Sequence, residues 1–101
     1  MNDAEAVGLC QDGDHEAFRH LVEQYQHVLY GTAYLMTGNA SVAEEYVQDA
    51  FLSAWRGIST FGAGRPVKPW LVRILVNTVI SGRRRRSIQT VPVDDPDTLP
   101  D

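Results

Sequence analysis

The chain has 101 residues, enough for one domain near the low end of what buries its own core. At 44% apolar residues it reads as globular, and a single cysteine, Cys10, excludes an internal disulfide and a cysteine-cluster zinc site. No apolar run approaches the ~20 residues of a membrane span, and the N-terminus MNDAEAVGLC lacks the basic-then-apolar order of a signal peptide. A cytoplasmic protein with no membrane insertion is expected.

The net charge of −4 conceals a division along the chain. Residues 1–55 hold nine acids and one base, Arg19, whereas residues 56–93 hold eight bases and no acid. The end, 94–101, has four acids. One part of the surface should repel phosphate and another attract it.

In chain order, residues 3–11 (DAEAVGLCQ) suit a short helix. Asp12-Gly13-Asp14 is a turn, with Asp14 placed to cap the next helix. From His15 to Met36 the apolar residues Phe18, Leu21, Val22, Tyr25, Leu29, Ala33 and Met36 recur at helical spacing. Gly38 suits the left-handed residue that ends a helix. Ser41 and Glu44 have the spacing of a capping box, predicting a helix over 41–57. Ala43, Tyr46, Val47, Ala50, Phe51, Ala54 and Trp55 form its core stripe. Its opposite face carries Glu45, Gln48, Asp49, Leu52 and Arg56. A leucine among acids is either a partner contact or an ordinary exposed apolar residue.

Residues 57–65 (GISTFGAGR) form a glycine-rich loop in which Phe61 is either a core plug or a stacking platform. The stretch PVKPWLVRILVNTVISGRRRR (66–86) predicts a helix with Pro69 in its first turn. Leu71, Ile74, Leu75 and Thr78 form an apolar stripe. Trp70, Arg73, Asn77, Ser81 and Arg84 form a second stripe offering stacking, amide and guanidinium groups. Such a helix is either a nucleic-acid reader or a core helix with a solvated basic end. Beyond Arg86, SIQTVPVDDPDTLPD reads as an extended linker. The expectation is all-α: a compact bundle of one short and three longer helices over 1–88, then an acidic, proline-containing linker over 89–101.

No phosphate-loop, H-E-x-x-H or G-x-S-x-G pattern occurs, and the spacings of His15, His20 and His27 do not suit a helical zinc site. Neither an enzyme nor a metal or other cofactor is expected. Nucleic acid is favoured instead, because seven of the nine lysines and arginines fall between Arg65 and Arg86, interleaved with Trp70 and preceded by Phe61. Cations supply salt-dependent phosphate affinity. Aromatics and Asn77 add base stacking and hydrogen bonding, which favours single-stranded or opened DNA.

Three stretches carry a resemblance: DGDHEAFRHLVEQYQHVLY (12–30), AEEYVQDAFLSAWRGISTF (43–61) and WLVRILVNTVISGRRRR (70–86). Over roughly residues 5–90 the chain resembles region 2, the N-terminal domain, of the extracytoplasmic-function (ECF) sigma factors of bacterial RNA polymerase. The resemblance implies a transcription initiation domain. Glu45, Gln48, Asp49, Leu52 and Arg56 would dock on the coiled coil of the polymerase β′ subunit. The loop and last helix would recognise and melt the promoter −10 element, capturing a flipped base of the non-template strand. Phe61 and Asn77 match the base pocket; Trp70, Arg65, Lys68, Arg73, Arg83 and Arg84 complete the DNA-binding set, with Trp70 also partly structural, packing the loop. An anti-sigma factor is an implied partner.

The loop GAGRPVKP (62–69) has its own composition, so the −10 bases do not transfer. The family's second domain, region 4, would be expected beyond the linker. Two rivals share the basic helix. A helix-turn-helix module would read intact duplex and give Phe61 no role. A protein-binding adaptor would show no DNA affinity.

Overall fold

Asp14 decides where the second helix begins. Its backbone is extended (φ −80°, ψ 104°), and its Oδ1 accepts from the N–H groups of Glu16 and Ala17 at 2.9 and 3.2 Å. The computed structural model describes residues 1–62 and 64–90, with side chains as far as Arg84. Within these residues the chain forms α1 (Asp3–Gln11), α2 (His15–Thr37), α3 (Ala40–Gly57), a 3-10 turn (Ile58–Thr60) and α4 (Val67–Thr90), with no strand. The all-α reading of one short and three longer helices is therefore correct.

Gly38 ends α2 in the left-handed region at φ 68°, its N–H donating to Tyr34 O at 2.7 Å. The next helix does not start with the Ser41–Glu44 box. Asn39, extended at φ −137° and ψ 119°, caps α3 instead, its Oδ1 accepting from Val42 N–H at 3.0 Å. Because Gly38 has already turned the chain, Asn39 meets the helix first and Ser41 falls inside it. α4 also runs past Arg86 through Ser87–Thr90, further than the sequence pattern carries it. The expected linker lies outside the described residues from position 91 onward.

Small residues bring the helices together. Ala6, Ala17, Ala33, Ala43, Ala50 and Ala54 are all at most 1% exposed, and Leu21, Leu29, Leu71, Leu75 and Val79 fill the space between them. The buried stripe of α4 is Val67, Leu71, Leu75 and Val79, continued by Gly82. Ile74 and Thr78, expected on that stripe, sit half-buried at its edge. A Cβ at Gly82 would overlap the Tyr46 ring from α3, so a side chain there would force that ring to shift. At the far end of α3, Phe18 meets Phe51 and Trp55 edge-on, with ring centroids 6.2 and 5.2 Å apart. Phe61 closes the bundle between the 3-10 turn and α4, 5% exposed and 4.5 Å from the Trp70 ring.

α1 is held to α2 by the Tyr25 hydroxyl, which donates to Asp3 Oδ2. Burial, then this hydrogen bond and the Asp3 charge, push the phenol up to about 12.

The packing makes three outcomes testable. Phe61→Ala should cost about 3–5 kcal/mol, as core Phe deletions do, and Gly82→Ala about 1–3 kcal/mol through overpacking, both read from chemical denaturation. Tyr25 is protonated more firmly folded than unfolded, so its contribution is complete below about pH 10 and lost as pH rises through about 12. Spectroscopic titration should therefore show a late phenol that is missing in Tyr25→Phe.

Candidate nucleic-acid interface and docking face

α3 turns one stripe inward and the opposite stripe outward. Glu45, Gln48, Asp49, Leu52 and Arg56 are all exposed, and each lies three or four residues from another of the set, so they share one face. Leu52 is 55% exposed at its centre, surrounded by polar neighbours. This is an apolar contact point on an otherwise hydrated helix face.

On α4, Arg73, Asn77, Ser81 and Arg84 are exposed and Trp70 is half-buried. They fall on one face by the same spacing argument. Lys68 and Asn77 are separated by about two and a half turns, which sends their side chains to opposite sides of the helix. Arg83 lies about 100° round the helix from Arg84. The expected DNA-contacting cations therefore wrap α4 and do not line one face.

The two outward faces meet. Asp49, Leu52, Ser53 and Arg56 of α3 form one wall of an open groove of about 770 Å³, and Ile74, Asn77, Thr78, Ser81 and Arg84 of α4 form the other. Leu52 and Ile74 supply its apolar part. Thr78 Oγ1 donates to Ile74 O at 2.7 Å, which leaves Asn77 and Ser81 as the groove's amide and hydroxyl on that wall. Sequence spacing finds each helix face but not their juxtaposition, since it depends on how α3 and α4 cross.

Between the 3-10 turn and α4, the side chain of Arg65 lies over Phe61. Thr60 Oγ1 donates to Gly57 O at 2.9 Å, and Arg65 N–H donates to Gly62 O at 3.3 Å. Gly64 takes φ 80°, which favours glycine. Arg65 folds back so that its guanidinium carbon is 5.7 Å from the centre of the Phe61 ring. Its stem lies where a Cβ on Gly62 would be only 2.8 Å away.

Phe61 is thus the core plug of the two sequence alternatives, its ring packed on Trp70 and overlain by Arg65. It is not an open stacking platform in this conformation. The groove that Asn77 lines includes neither Phe61 nor Trp70. Trp70 is the ring that Phe61 packs against.

A contact that the sequence does not signal holds this loop from α1. Gln11 Nε2 donates to the carbonyl oxygens of Ile58 and Phe61 at 2.9 and 3.0 Å. Its partners are 47 and 50 positions away, beyond any local pattern.

The remaining chemistry-bearing residues are quiet. Cys10 is buried, and burial, with the Asp14 charge, pushes its thiol up. His15 stacks on Trp55 at 4.6 Å. Among the described residues no group of three histidine, cysteine or acidic side chains could hold a metal ion. None of the described helices is long and apolar enough to cross a membrane.

Comparison with known proteins matches this arrangement. The profile of the family described as sigma-70 region 2 matches residues 21–88. The chain is 36% identical over 80 residues to the ECF RNA polymerase sigma factor SigW of Bacillus subtilis, covering 79% of this chain and 43% of SigW. It is 35% identical over 95 residues to SigM of Mycobacterium tuberculosis, covering 93% of this chain and 48% of SigM. It therefore spans less than half the length of either relative. Among solved structures, an engineered region 2 of sigmaE in complex with GTAAAA superposes with a TM-score of 0.83 at 30% identity, covering 91% of this chain and 96% of that one. Helix order, core and sequence agree: the chain belongs to region 2 of the extracytoplasmic-function sigma factors.

Proposed function

We propose that this chain docks on RNA polymerase and recognises and melts the promoter −10 element. The observation that carries the reading is its likeness to the sigmaE region 2 that was solved in complex with GTAAAA. In this proposal the α3 face of Glu45, Gln48, Asp49, Leu52 and Arg56 meets the β′ coiled coil, with Leu52 as the apolar anchor. Acids around it repel DNA phosphates, which keeps that wall for protein.

The α4 wall takes the non-template strand. Arg73 and Arg84 hold phosphates, with Arg83 and Lys68 serving strand segments that pass round the helix. The Asn77 amide can both donate and accept at a base edge. Flipping a base costs a few kcal/mol of unstacking, which edge hydrogen bonds and stacking against the loop must offset. Phe61 acts here by shaping the loop through Trp70 and Arg65. A base that is to stack on Phe61 itself must first displace Arg65.

An anti-sigma factor is a fitting regulator. A protein segment lying in the α3–α4 groove would cover Asp49 and Leu52 together with Asn77 and Arg84. This function places the chain in the cytoplasm, with the polymerase, and assigns it no catalysis.

The test is selection of a −10-like single strand from a random pool, followed by binding to that strand and to its duplex. A short enriched motif, preferred single-stranded, is the expected result. Equal, salt-sensitive binding to both with no motif would sink the melting proposal. Asn77→Ala should weaken motif selection, leave β′ binding unchanged, and shift stability by no more than about 0.5 kcal/mol. Asp49→Ala should do the reverse. Arg84→Ala should weaken all strands alike and flatten the salt dependence by about 0.7 in log–log slope, the share of one single-strand phosphate contact.

A further inference from the structure

We infer that Gln11 is a positioning residue for promoter reading: from the end of α1 it sets the conformation of the loop that precedes α4. The inference rests on the proposed promoter reading, and adds a residue outside both proposed binding faces.

The geometry is that of a two-point clamp. A primary amide has two N–H donors, and Gln11 Nε2 lies within hydrogen-bond distance of two backbone acceptors of the same turn, Ile58 O at 2.9 Å and Phe61 O at 3.0 Å. Ile58 O also accepts from Phe61 N–H at 3.2 Å, so the clamp grips the closing hydrogen bond of the 3-10 turn. Phe61 is the last residue before the glycine-rich segment, and its ring carries both Trp70 and the Arg65 guanidinium. Fixing the Phe61 carbonyl therefore fixes the direction in which Gly62 leaves the turn.

Gln11 itself remains an exposed residue, so it is not there to fill the core. α1 is anchored independently. The Tyr25–Asp3 hydrogen bond holds its first turn, and buried Ala6, Val7 and Cys10 hold its inner face. A rigid α1 thus gives the amide a fixed base from which to hold the loop. Among the described residues, the loop's other hydrogen bonds are short-range. Gly62 and Gly64 give its backbone wide conformational freedom, and its own hydrogen bonds to Gly57 and Gly62 are local.

The experiment uses the whole chain in four forms: wild type, Gln11→Ala, Gln11→Glu, and Gln26→Ala as a control at an exposed glutamine of α2. Amide hydrogen exchange is followed at Phe61. Losing two hydrogen bonds should lower protection there roughly tenfold in Gln11→Ala, with core amides of α2 and α3 and the melting temperature nearly unchanged. In Gln11→Glu the ionised carboxylate can only accept, so protection should fall as far. It should return partly as pH drops and the carboxyl regains a proton to donate. Gln11→Ala should show no such recovery, which separates a donated hydrogen bond from packing.

A second arm measures binding to the strand selected by wild type. Both Gln11 variants should bind it several-fold more weakly at neutral pH while holding polymerase normally. Unchanged exchange at Phe61, or a Gln11→Glu profile without pH recovery, overturns the clamp. Faster exchange with unchanged strand binding overturns its role in promoter reading. If wild type selects no strand, the promoter reading fails and the positioning role falls with it, while the exchange arm still decides the clamp.

Discussion

Tyr46 can lie against α4 only because position 82 has no Cβ, and much of the architecture depends on that close approach. With a side chain at 82, the Tyr46 ring would have to move and the two helices would part at that end. Their separation sets the width of the groove whose walls hold Asp49, Leu52 and Arg56 on one side and Asn77, Ser81 and Arg84 on the other. The alanines of α3 serve the same end, since Ala43, Ala50 and Ala54 are at most 1% exposed and keep the helix flush with its neighbours. Packing density thus controls the spacing of surface groups that never enter the core.

The charge division along the sequence becomes a division between adjacent helices. At the groove itself the contrast comes down to Asp49 on the α3 wall and Arg84 on the α4 wall. The two proposed partners would therefore work within reach of each other, and docking on one wall changes the electrostatic environment of the other. Arg56 belongs to the α3 wall yet carries the sign of α4. It tempers the contrast at the end of the groove nearest the loop.

The sequence is legible where local rules govern. The ends of α2 follow from Asp14 and Gly38, and the outward face of α3 follows from simple periodicity. The start of α3 misleads because two capping signals compete, Asn39 and the Ser41–Glu44 pair. The one closer to the preceding turn wins. Phe61 is ambiguous in sequence because an aromatic in a glycine-rich loop satisfies either a core or a stacking role. Only the position of Trp70 and Arg65 around it decides. The cations look like one group in the sequence, although helical geometry alone turns Arg83 about 100° away from Arg84. The α3–α4 groove and the Gln11 clamp leave no sequence signal, since both arise from residues brought together by tertiary packing.

Cys10 precedes Gln11 on α1, and its burial has a use beyond the core. Its thiol is 2% exposed and held toward the neutral form, which is a poor nucleophile. Alkylating and oxidising reagents should reach it only when α1 lifts from α2 and the 3-10 turn. The only sulfhydryl in the chain is thus a built-in gauge of that opening. Its labelling rate counts the moments when the loop has lost its anchor, with no dye or engineered site required.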